Sequence, residues 1–270
     1  MSAVEGQHTI LVTGAGGFIG SALLRSFAAH GWRAIGAGRR RPAELPPQTP
    51  WREYDLSWTA LPDDFFDGAD VLVHAAMIRG DVATNVAGST LLLDRAQQRG
   101  VKQIVFLSSL AAHEGALSQY GRQKYVLEQL FNARGALVIR PGLVLGDGGA
   151  FGAMCAYLRK HRFVPLIGGG AQPLQTVAID ELVGAIYDGV ERNVRGTYTV
   201  ATVEPVTIRA FYESVCKQLG VRVTFVPIPF WLADLALRTA AMLHVALPID
   251  RDNLLGLKAM RIDTGPRLAT

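Results

Sequence analysis

The residues best suited to chemistry in this chain are a tyrosine and a lysine four positions apart, Tyr120 and Lys124, and an upstream serine, Ser109. Four positions on a helix place two side chains on one face, so the ammonium can sit near the phenol and lower its pKa towards working pH. Such a phenol gives a proton to a carbonyl oxygen, or takes one from an alcohol. Ser109 follows an apolar segment and can donate a hydrogen bond to the same oxygen. The pattern predicts carbonyl reduction or alcohol oxidation.

A glycine-rich turn near the start of the chain predicts the partner of that reaction. The turn runs Gly14-x-x-Gly17-x-x-Gly20, follows an apolar stretch at 8–12 and opens an amphipathic helix near residue 21. A strand, a glycine turn and a helix N-terminus bind a dinucleotide pyrophosphate, because backbone N–H groups and the helix dipole face the anion. The predicted cofactor contacts in this turn are Gly14, Gly16, Gly17, Phe18, Ile19 and Gly20.

The spacing of these motifs resembles the short-chain dehydrogenase/reductase superfamily, specifically its extended branch, the NAD(P)-dependent epimerase/dehydratase family. Further landmarks in family order are Val-His-Ala-Ala at 73–76, Asn-Val-Ala-Gly-Ser at 85–89, Arg-Pro-Gly at 140–142 and a segment at 175–180 that opens a helix. The resemblance implies that Lys124 also holds the nicotinamide ribose and that Asn85 is a fourth catalytic residue, stabilising a helix irregularity and a proton-relay water. It implies further cofactor contacts at His74, Ala75, Ala76, Pro141 and Gly142, and adenine contacts at Asp55 and Leu56.

The residues after the second predicted strand bear on which nucleotide is bound. NAD-specific folds of this kind place Asp or Glu about twenty residues past the glycine motif, to accept from the ribose 2′-hydroxyl. Here Arg39, Arg40 and Arg41 stand at that place, and the next carboxylate is Glu44. Arginines bind a 2′-phosphate well, so the sequence favours NADP(H), with NAD(H) as the alternative. A simpler interpretation of the three arginines is that they lie on a loop and are only solvated.

Two departures from the family pattern narrow the function. Family dehydratases carry an Asp-Glu pair directly after the catalytic Ser or Thr, whereas this chain has Leu110 and Ala111. Only residues 110–119 separate Ser109 from Tyr120, which is short for a nucleotide-sugar enzyme. We therefore expect a ketone reductase or alcohol dehydrogenase acting on a small, rather apolar metabolite. Two alternatives stay open: an NAD-dependent sugar-nucleotide epimerase, and a non-catalytic, dinucleotide-sensing or quinone-associated scaffold.

These residues must be positioned by alternating strands and helices. Strand-length apolar segments lie at 8–13, 33–37, 71–75, 103–108 and 136–140, with helical patterns at 21–30, 85–99 and 120–133. Such alternation predicts an α/β fold, a Rossmann-type doubly wound parallel sheet. Residues 1–145 form the predicted NAD(P)-binding domain, and 146–270 a small substrate-side region interleaved with the last sheet elements.

Composition restricts the partners. The net charge of +4 on 270 residues, without a concentrated basic face, gives no reason to expect nucleic acid. Cys155 and Cys216 are too few for a disulfide framework, and no histidine pair has metal-ligand spacing with a third partner. We expect no metal, a small-molecule substrate, a cytoplasmic location without a leader and, by resemblance, a homodimer.

An apolar segment at 230–247 is bracketed by Pro227, Pro229 and Pro248. Asp234 and Arg238 interrupt it, which argues against a transmembrane span. The segment is predicted to be a core or pocket-lining helix. A substrate lid, a dimer contact and a peripheral membrane helix are the alternatives.

Overall fold

The computed structural model describes residues 7–242 and 249–268. Its strands are β1 (Thr9–Thr13), β2 (Arg33–Gly38), β3 (Trp51–Glu53), β4 (Val71–His74), β5 (Gln103–Leu107), β6 (Leu137–Pro141), β7 (Leu143–Leu145), β8 (Phe163–Ile167), β9 (Pro173–Leu174), β10 (Thr176–Ala178), β11 (Gly196–Val200), β12 (Val206–Thr207) and β13 (Thr224–Ile228). Its helices are α1 (Phe18–Ala29), α2 (Val82–Gln98), α3 (Gln119–Asn132), α4 (Gly149–Lys160), α5 (Ile179–Glu191), α6 (Ile208–Leu219), α7 (Phe230–Met242) and α8 (Arg251–Lys258).

Seven parallel strands form the central sheet, in the order β11-β6-β5-β4-β1-β2-β3. The chain runs from β1 outward to β3 and then returns to place β4 on the other side of β1. Strand order therefore reverses between β1 and β4, and this is where open α/β sheets bind ligands, beyond the carboxyl ends of the strands. The predicted Rossmann-type fold is confirmed.

Both faces of the sheet are covered, as its sequence pattern requires. Ile10 and Val12 of β1 belong to the core beneath α1 and α5, while Leu11 belongs to the core beneath α2 and α3. All three side chains are fully buried. Because neighbouring side chains of a strand point to opposite faces, a strand covered on both sides reads as a continuous apolar run.

The five predicted strands of the first half form within about a residue of the predicted bounds. The three predicted helices also form; α3 agrees within a residue, whereas α1 and α2 each begin three residues earlier than predicted. The sequence did not indicate β3 or the short pairs β7·β10, β9·β12 and β8·β13. All of these strands except β8 and β13 have two or three residues, which is too short to show a period of two. β8 and β13 have five residues each, and each contains a proline. β11 lies beyond residue 145 and still pairs with β6 in the central sheet, so the division at 145 stays a prediction.

The second half of the chain forms a group of helices and short strand pairs beside the central sheet. β8 pairs with β13, and α4 and α6 bury Cys155 and Cys216 beneath one face of this pair. The other face packs on α7, which in turn packs on α8 through Leu237 and Leu254. The segment after α8 returns to the central sheet, where the Thr199 N–H donates to the Pro266 carbonyl at 2.8 Å.

The apolar segment at 230–247 is only partly within the described residues, since 243–247 lie outside them. The part that is described forms α7, and none of its residues lines the cleft described below. Of the two predicted roles, the described part of the segment fits a core helix, since Ala233 and Leu237 are buried, and does not line the pocket. Trp231 and Met242 face outward with 69% and 79% of their surface exposed, and α8 takes their place at the cleft. No helix in the described ranges is long and apolar enough to cross a bilayer.

Candidate active site

The glycine turn between β1 and α1 leaves space that side chains would fill. Gly14 has φ +70°, and a Cβ there would lie 2.7 Å from the Ala75 carbonyl carbon. A Cβ at Gly20 would collide with the backbone of Gly14 and Ala15. Helix α1 begins after Gly17 with no side-chain cap and no acidic residue in its first turn. Its first N–H groups are therefore oriented to receive an anion, and the turn fits a dinucleotide pyrophosphate.

A cleft of about 840 Å³ begins at this turn and continues past the ends of the central strands. Of the predicted cofactor contacts, its walls include Gly14, Gly17, Phe18, Ile19, Gly20, Ala75, Lys124, Pro141 and Gly142. The predicted catalytic residues Ser109 and Tyr120 line the same cleft. Its far wall is made by α8 and the residues after it. The structure thus brings the glycine turn and the predicted proton donor into one continuous space.

His74 does not line the cleft and is a correction to the predicted cofactor contacts. Its ring is fully buried, with Nδ1 2.8 Å from Thr13 Oγ1 and Nε2 3.2 Å from Ser89 Oγ. It stacks on the ring of Phe131 at 5.4 Å between centroids. Burial lowers the pKa of His74 to about 3, with a further contribution from the Lys124 ammonium, so the ring is neutral. The physical reason is strand alternation: His74 points into the core, and Ala75, the next residue, faces the cleft.

The three arginines after β2 differ in their contacts. The Arg41 guanidinium donates to the carbonyls of Pro46, Pro47 and Thr49 at 2.6–3.0 Å, which closes the loop 42–50 upon itself. Arg39 and Arg40 are exposed, and the Arg40 carbonyl lies 3.8 Å from where a Gly16 Cβ would be. The Arg40 backbone thus lies beside the glycine turn, and a contact of Arg39 or Arg40 with a nucleotide stays a prediction.

The predicted adenine contacts also lie beside that loop. Asp55 accepts from the Ser57 N–H at 2.9 Å and the Ser57 hydroxyl at 2.8 Å, which forms an Asx turn. These hydrogen bonds, and the Arg39 charge to a lesser degree, lower the pKa of Asp55. Leu56 is buried, and its carbonyl touches Gly88 of α2, where any side chain would collide. A contact of either residue with adenine stays a prediction, as does one from Ala76.

Tyr120 stands at the start of α3 with its ring in the cleft and 38% of its surface exposed. Withdrawal of its hydroxyl from water raises the pKa of Tyr120, and the nearby Ser109 hydroxyl and Arg79 guanidinium oppose that rise. Ser109 Oγ also accepts from the Ala111 N–H at 3.2 Å, which orients it at the end of β5. The phenol and the serine hydroxyl therefore converge on one part of the cleft.

Lys124 is 5% exposed and lies deeper than Tyr120. Its Nζ donates to the Leu107 carbonyl at 2.6 Å and lies 4.8 Å above the Phe106 ring. Burial lowers the pKa of Lys124 to about 8, against the opposing charge of Glu128. The expected net lowering of the phenol pKa is not seen, because burial outweighs the Ser109 hydroxyl and the Arg79 guanidinium, which both lower the pKa of Tyr120.

Asn85 has a different position from the one expected by resemblance. Its side chain is fully buried, donates to the carbonyls of Ile78 and Asp81 at 2.6 and 2.5 Å, and accepts from the Ile78 N–H at 2.9 Å. Helix α2 is continuous from Val82 to Gln98, without the expected irregularity. With both amide hydrogens bound to backbone, Asn85 fixes the loop after β4 that carries Arg79 to the cleft. A part of Asn85 in a proton relay stays a prediction.

A buried charge network lies behind the cleft. The resemblance included Glu128 in the pattern that follows Tyr120 and Lys124, but the partners of its carboxylate were not predicted. Glu128 is fully buried, accepts from the Ser108 hydroxyl at 2.5 Å, and is held by the Arg140 guanidinium at 2.8 and 2.5 Å. It ties α3 to β5 and β6, the elements that carry Tyr120, Ser109 and the Arg-Pro-Gly turn. Glu128 lies one helical turn after Lys124, and that spacing was the available signal.

The sequence reasoning missed Asp252 on α8. Its carboxylate accepts from the backbone N–H groups of Gln119 at 2.5 Å and of Tyr120 at 3.1 Å. Ser118, the local N-cap, accepts from the Gly121 N–H at 3.0 Å. Three of the free N–H groups of α3 are therefore capped, two of them by a residue more than 130 positions away. No local pattern in the sequence indicates such a cap.

The rest of the cleft lining combines apolar and polar groups. Its apolar members are Met77, Leu110, Leu174, Leu257 and Met260, and its cations are Arg79 and Arg261. His113 also lines the cleft, and burial lowers its pKa. Within residues 7–242 and 249–268, no group of three His, Cys, Asp or Glu side chains is arranged to bind a metal ion.

Comparisons with known proteins identify a matching family model and several relatives. The model of the NAD dependent epimerase/dehydratase family matches residues 10–187. A ceramide reductase of Caulobacter vibrioides is 30% identical over 161 residues, which cover 54% of this chain and 49% of the relative. A serine 3-dehydrogenase of Agrobacterium fabrum is 33% identical over 157 residues, covering 45% of this chain and 62% of the relative. The chain thus spans about half to three fifths of these two curated relatives.

Solved structures share the fold. A UDP-glucose 4-epimerase of Thermus thermophilus in complex with NAD superposes with a TM-score of 0.70 at 23% identity, covering 82% of this chain and 86% of that one. MoeE5 in complex with UDP-glucose and NAD gives a TM-score of 0.70 at 21% identity, covering 93% and 97%. At this level of identity, the likeness concerns the fold alone.

Proposed function

Because the chain belongs to the NAD dependent epimerase/dehydratase family, whose members are NAD(P)-dependent enzymes of the extended short-chain dehydrogenase/reductase type, we propose that it is an NADP(H)-dependent carbonyl reductase or alcohol dehydrogenase. The proposed substrate is a rather apolar ketone, or the matching alcohol. One observation carries the proposal: Tyr120 and Ser109 line the same cleft as the glycine turn at the start of α1.

The residues of the chain divide the work of such a reduction. NADP(H), held by the glycine turn with Arg39 and Arg40 at its 2′-phosphate, supplies the hydride that the carbonyl carbon takes up. Tyr120 gives its phenolic proton to the carbonyl oxygen, and the Ser109 hydroxyl donates a hydrogen bond to that oxygen. Lys124, which is buried in the wall of the cleft, would hold the nicotinamide ribose. Reversal of each transfer oxidises the alcohol.

The wall opposite the glycine turn supports an apolar substrate with a polar group. Leu257 and Met260 present apolar surface, and Arg79 and Arg261 stand at the same wall. The relatives named as a ceramide reductase and a serine 3-dehydrogenase support a redox reaction at a carbonyl or alcohol carbon. Leu110 and Ala111 give no acid and base for elimination of water, which disfavours a dehydratase.

The nucleotide itself tests the proposal. We would release any bound nucleotide from the purified protein by denaturation, identify it by mass spectrometry, and measure exchange with free NADPH and NADH. An empty or freely exchanging site that prefers NADPH, together with NADPH oxidation by hydrophobic ketones, is the expected result. Tightly retained NAD⁺ would contradict the proposal and favour an epimerase. Nucleotide binding without oxidation by any carbonyl compound would favour a scaffold.

A further inference from the structure

We propose that the chain docks on an anionic lipid surface through one face, which we call the docking face. Its apolar residues are Phe163, Val226, Trp231, Leu235 and Met242, and its cations are Arg159, Lys160, Arg162 and Arg222. The proposal concerns where the protein binds and does not depend on the proposed reaction.

Helix α7 has apolar residues on two sides, and only one side is covered. Ala233 and Leu237 are buried against β8, β13 and α8. Trp231, Leu235 and Met242 follow one another at helical spacing on the outward side, with 69%, 55% and 79% of their surfaces exposed. Large apolar side chains are rarely left together on a free helix face, and a row containing tryptophan is typical of helices that lie in a membrane interface.

The exposed apolar surface continues from the helix onto the strand pair beneath it. In the register of β8 and β13, Ile167 lies beside Ile228, and α7 covers both. Phe163 lies four residues before Ile167 and Val226 two before Ile228, so both point to the same side of the pair. No element of the described chain covers them as α7 covers the isoleucines, and they are 68% and 42% exposed. Strand and helix thus present one apolar face.

Cations surround the strand end of this face. Arg159 and Lys160 end α4, Arg162 precedes β8, and Arg222 lies two residues before β13. The Thr224 N–H donates to the Arg162 carbonyl at 2.7 Å, which joins the two strand starts and brings these residues together. All four side chains are exposed, and none forms a salt bridge with a carboxylate of the described residues. Cations beside exposed aromatic and aliphatic groups match anionic headgroups above acyl chains.

The carboxylate on α7 does not cancel this charge at the strand end. Asp234 is held by Arg238 at 2.8 Å and by Arg251 of α8 at 2.8 Å, and this pairing lowers its pKa. A second copy of the chain is a poorer occupant of the docking face, because a two-fold contact centred on it would bring two basic clusters into one interface. The charge on the face therefore favours a lipid surface.

The test measures binding of the full chain to phosphatidylcholine vesicles with and without phosphatidylglycerol. Sedimentation with the vesicles gives the bound fraction, and Trp231, the most exposed tryptophan of the described residues, reports insertion by a blue shift of its emission. One variant removes the apolar row (Trp231→Ser with Leu235→Ser), and a second removes charge (Arg159→Ala, Lys160→Ala and Arg162→Ala). Val203→Ser and Arg25→Ala are matched controls, since both residues are exposed elsewhere.

We expect the wild type and both controls to bind phosphatidylglycerol vesicles, and each docking-face variant to bind about tenfold or more weakly. Melting temperatures should stay unchanged, because every substituted side chain is exposed. Equal binding by the variants, or no binding by the wild type, would refute the proposal. So would a dimer in light scattering that Trp231→Ser dissociates, since the face would then belong to a second copy. None of these results depends on turnover, so the proposed reaction can fail independently.

Discussion

The carboxylate of Asp252 accepts a hydrogen bond from the backbone N–H of Tyr120 at 3.1 Å, across 132 residues of sequence. The same carboxylate accepts from Gln119. A negative charge at the N-terminus of α3 also interacts favourably with the helix dipole. The helix that forms the far wall of the cleft therefore fixes the first turn of the helix that presents the proposed proton donor. Substrate wall and proton donor are positioned together.

Replacement of Asp252 tests this coupling. We expect Asp252→Ala to lower the free energy of unfolding by about 1 kcal/mol, as loss of a helix cap does. We expect kcat to fall roughly tenfold, because the start of α3 is no longer held against α8. NADPH affinity should change little, since the glycine turn is untouched. Urea unfolding and steady-state kinetics measure these quantities.

The matched control is Asp188→Ala, whose carboxylate lies 3.8 Å from Arg192 on the outer side of α5 and caps no helix. It should leave both kcat and stability near the wild-type values. If Asp252→Ala also leaves kcat unchanged, α8 does not position Tyr120 for catalysis.

Arg39 and Arg40 should set the choice of nucleotide. We expect the double variant Arg39→Ala with Arg40→Ala to weaken NADPH binding at least about tenfold, because each charged hydrogen bond to a phosphate contributes roughly 1.5–3 kcal/mol. NADH affinity should be nearly unchanged, since it lacks the 2′-phosphate. Fluorescence titration of the reduced nucleotides measures both. Equal losses for the two nucleotides would mean that these arginines do not recognise the phosphate; Arg25→Ala, on α1, is the control.

The buried ammonium of Lys124 should make stability depend on pH in a defined window. Its pKa is about 8 in the folded chain against an ordinary value of 10.5, so between these values the unfolded chain binds the extra proton. Stability must then rise with pH across that window, by about 3 kcal/mol in total. Lys124→Met removes this dependence. The check is urea unfolding of both proteins from about pH 7 to 10.5, without nucleotide. The free energy of unfolding of the wild type should rise with pH relative to that of the variant. If the difference between the two free energies stays constant across this range, the shift in the Lys124 pKa is contradicted.

The network around Glu128 should contribute to the free energy of unfolding. Glu128→Ala leaves the buried Ser108 hydroxyl and the Arg140 guanidinium without their partner. Removing one member of a buried ion pair typically costs about 3–5 kcal/mol. We expect a loss of about that size in urea unfolding, against a change below about 1 kcal/mol for Asp94→Ala, whose partner Arg134 forms a half-buried pair with it near the surface. A loss as small as that of Asp94→Ala would show that the network is not required for folding.

The sequence predicted those parts of the site that depend on local chain. Gly14 and Gly20 could be predicted because the turn from β1 to α1 leaves no room for a side chain at these positions. All residues of this turn are neighbours in the sequence, so the motif is visible there. Tyr120 and Lys124 could be predicted because their helical spacing places them on one face of a helix. Strand alternation predicted the two cores but was not applied to His74, whose inward direction follows from the same rule.

The sequence could not predict contacts that depend on how distant elements pack. Asp252 becomes a cap only because α8 lies against the start of α3. Arg79 lines the cleft with Tyr120 because the loop after β4, which Asn85 binds through the Ile78 backbone, leads there. The sequence of α7 showed that the helix is apolar, but not which of its sides is buried. Only its packing on β8 and β13 decides that Trp231 faces outward.

The central claim is that Tyr120 moves the proton while NADP(H) supplies the hydride. The most direct measurement follows NADPH oxidation with a panel of hydrophobic ketones, for the wild type and for Tyr120→Phe, beside NADPH affinity of both proteins. The account predicts turnover by the wild type, a loss of about a hundredfold or more in kcat for the variant, and nearly equal NADPH affinity. Turnover retained by Tyr120→Phe would contradict it.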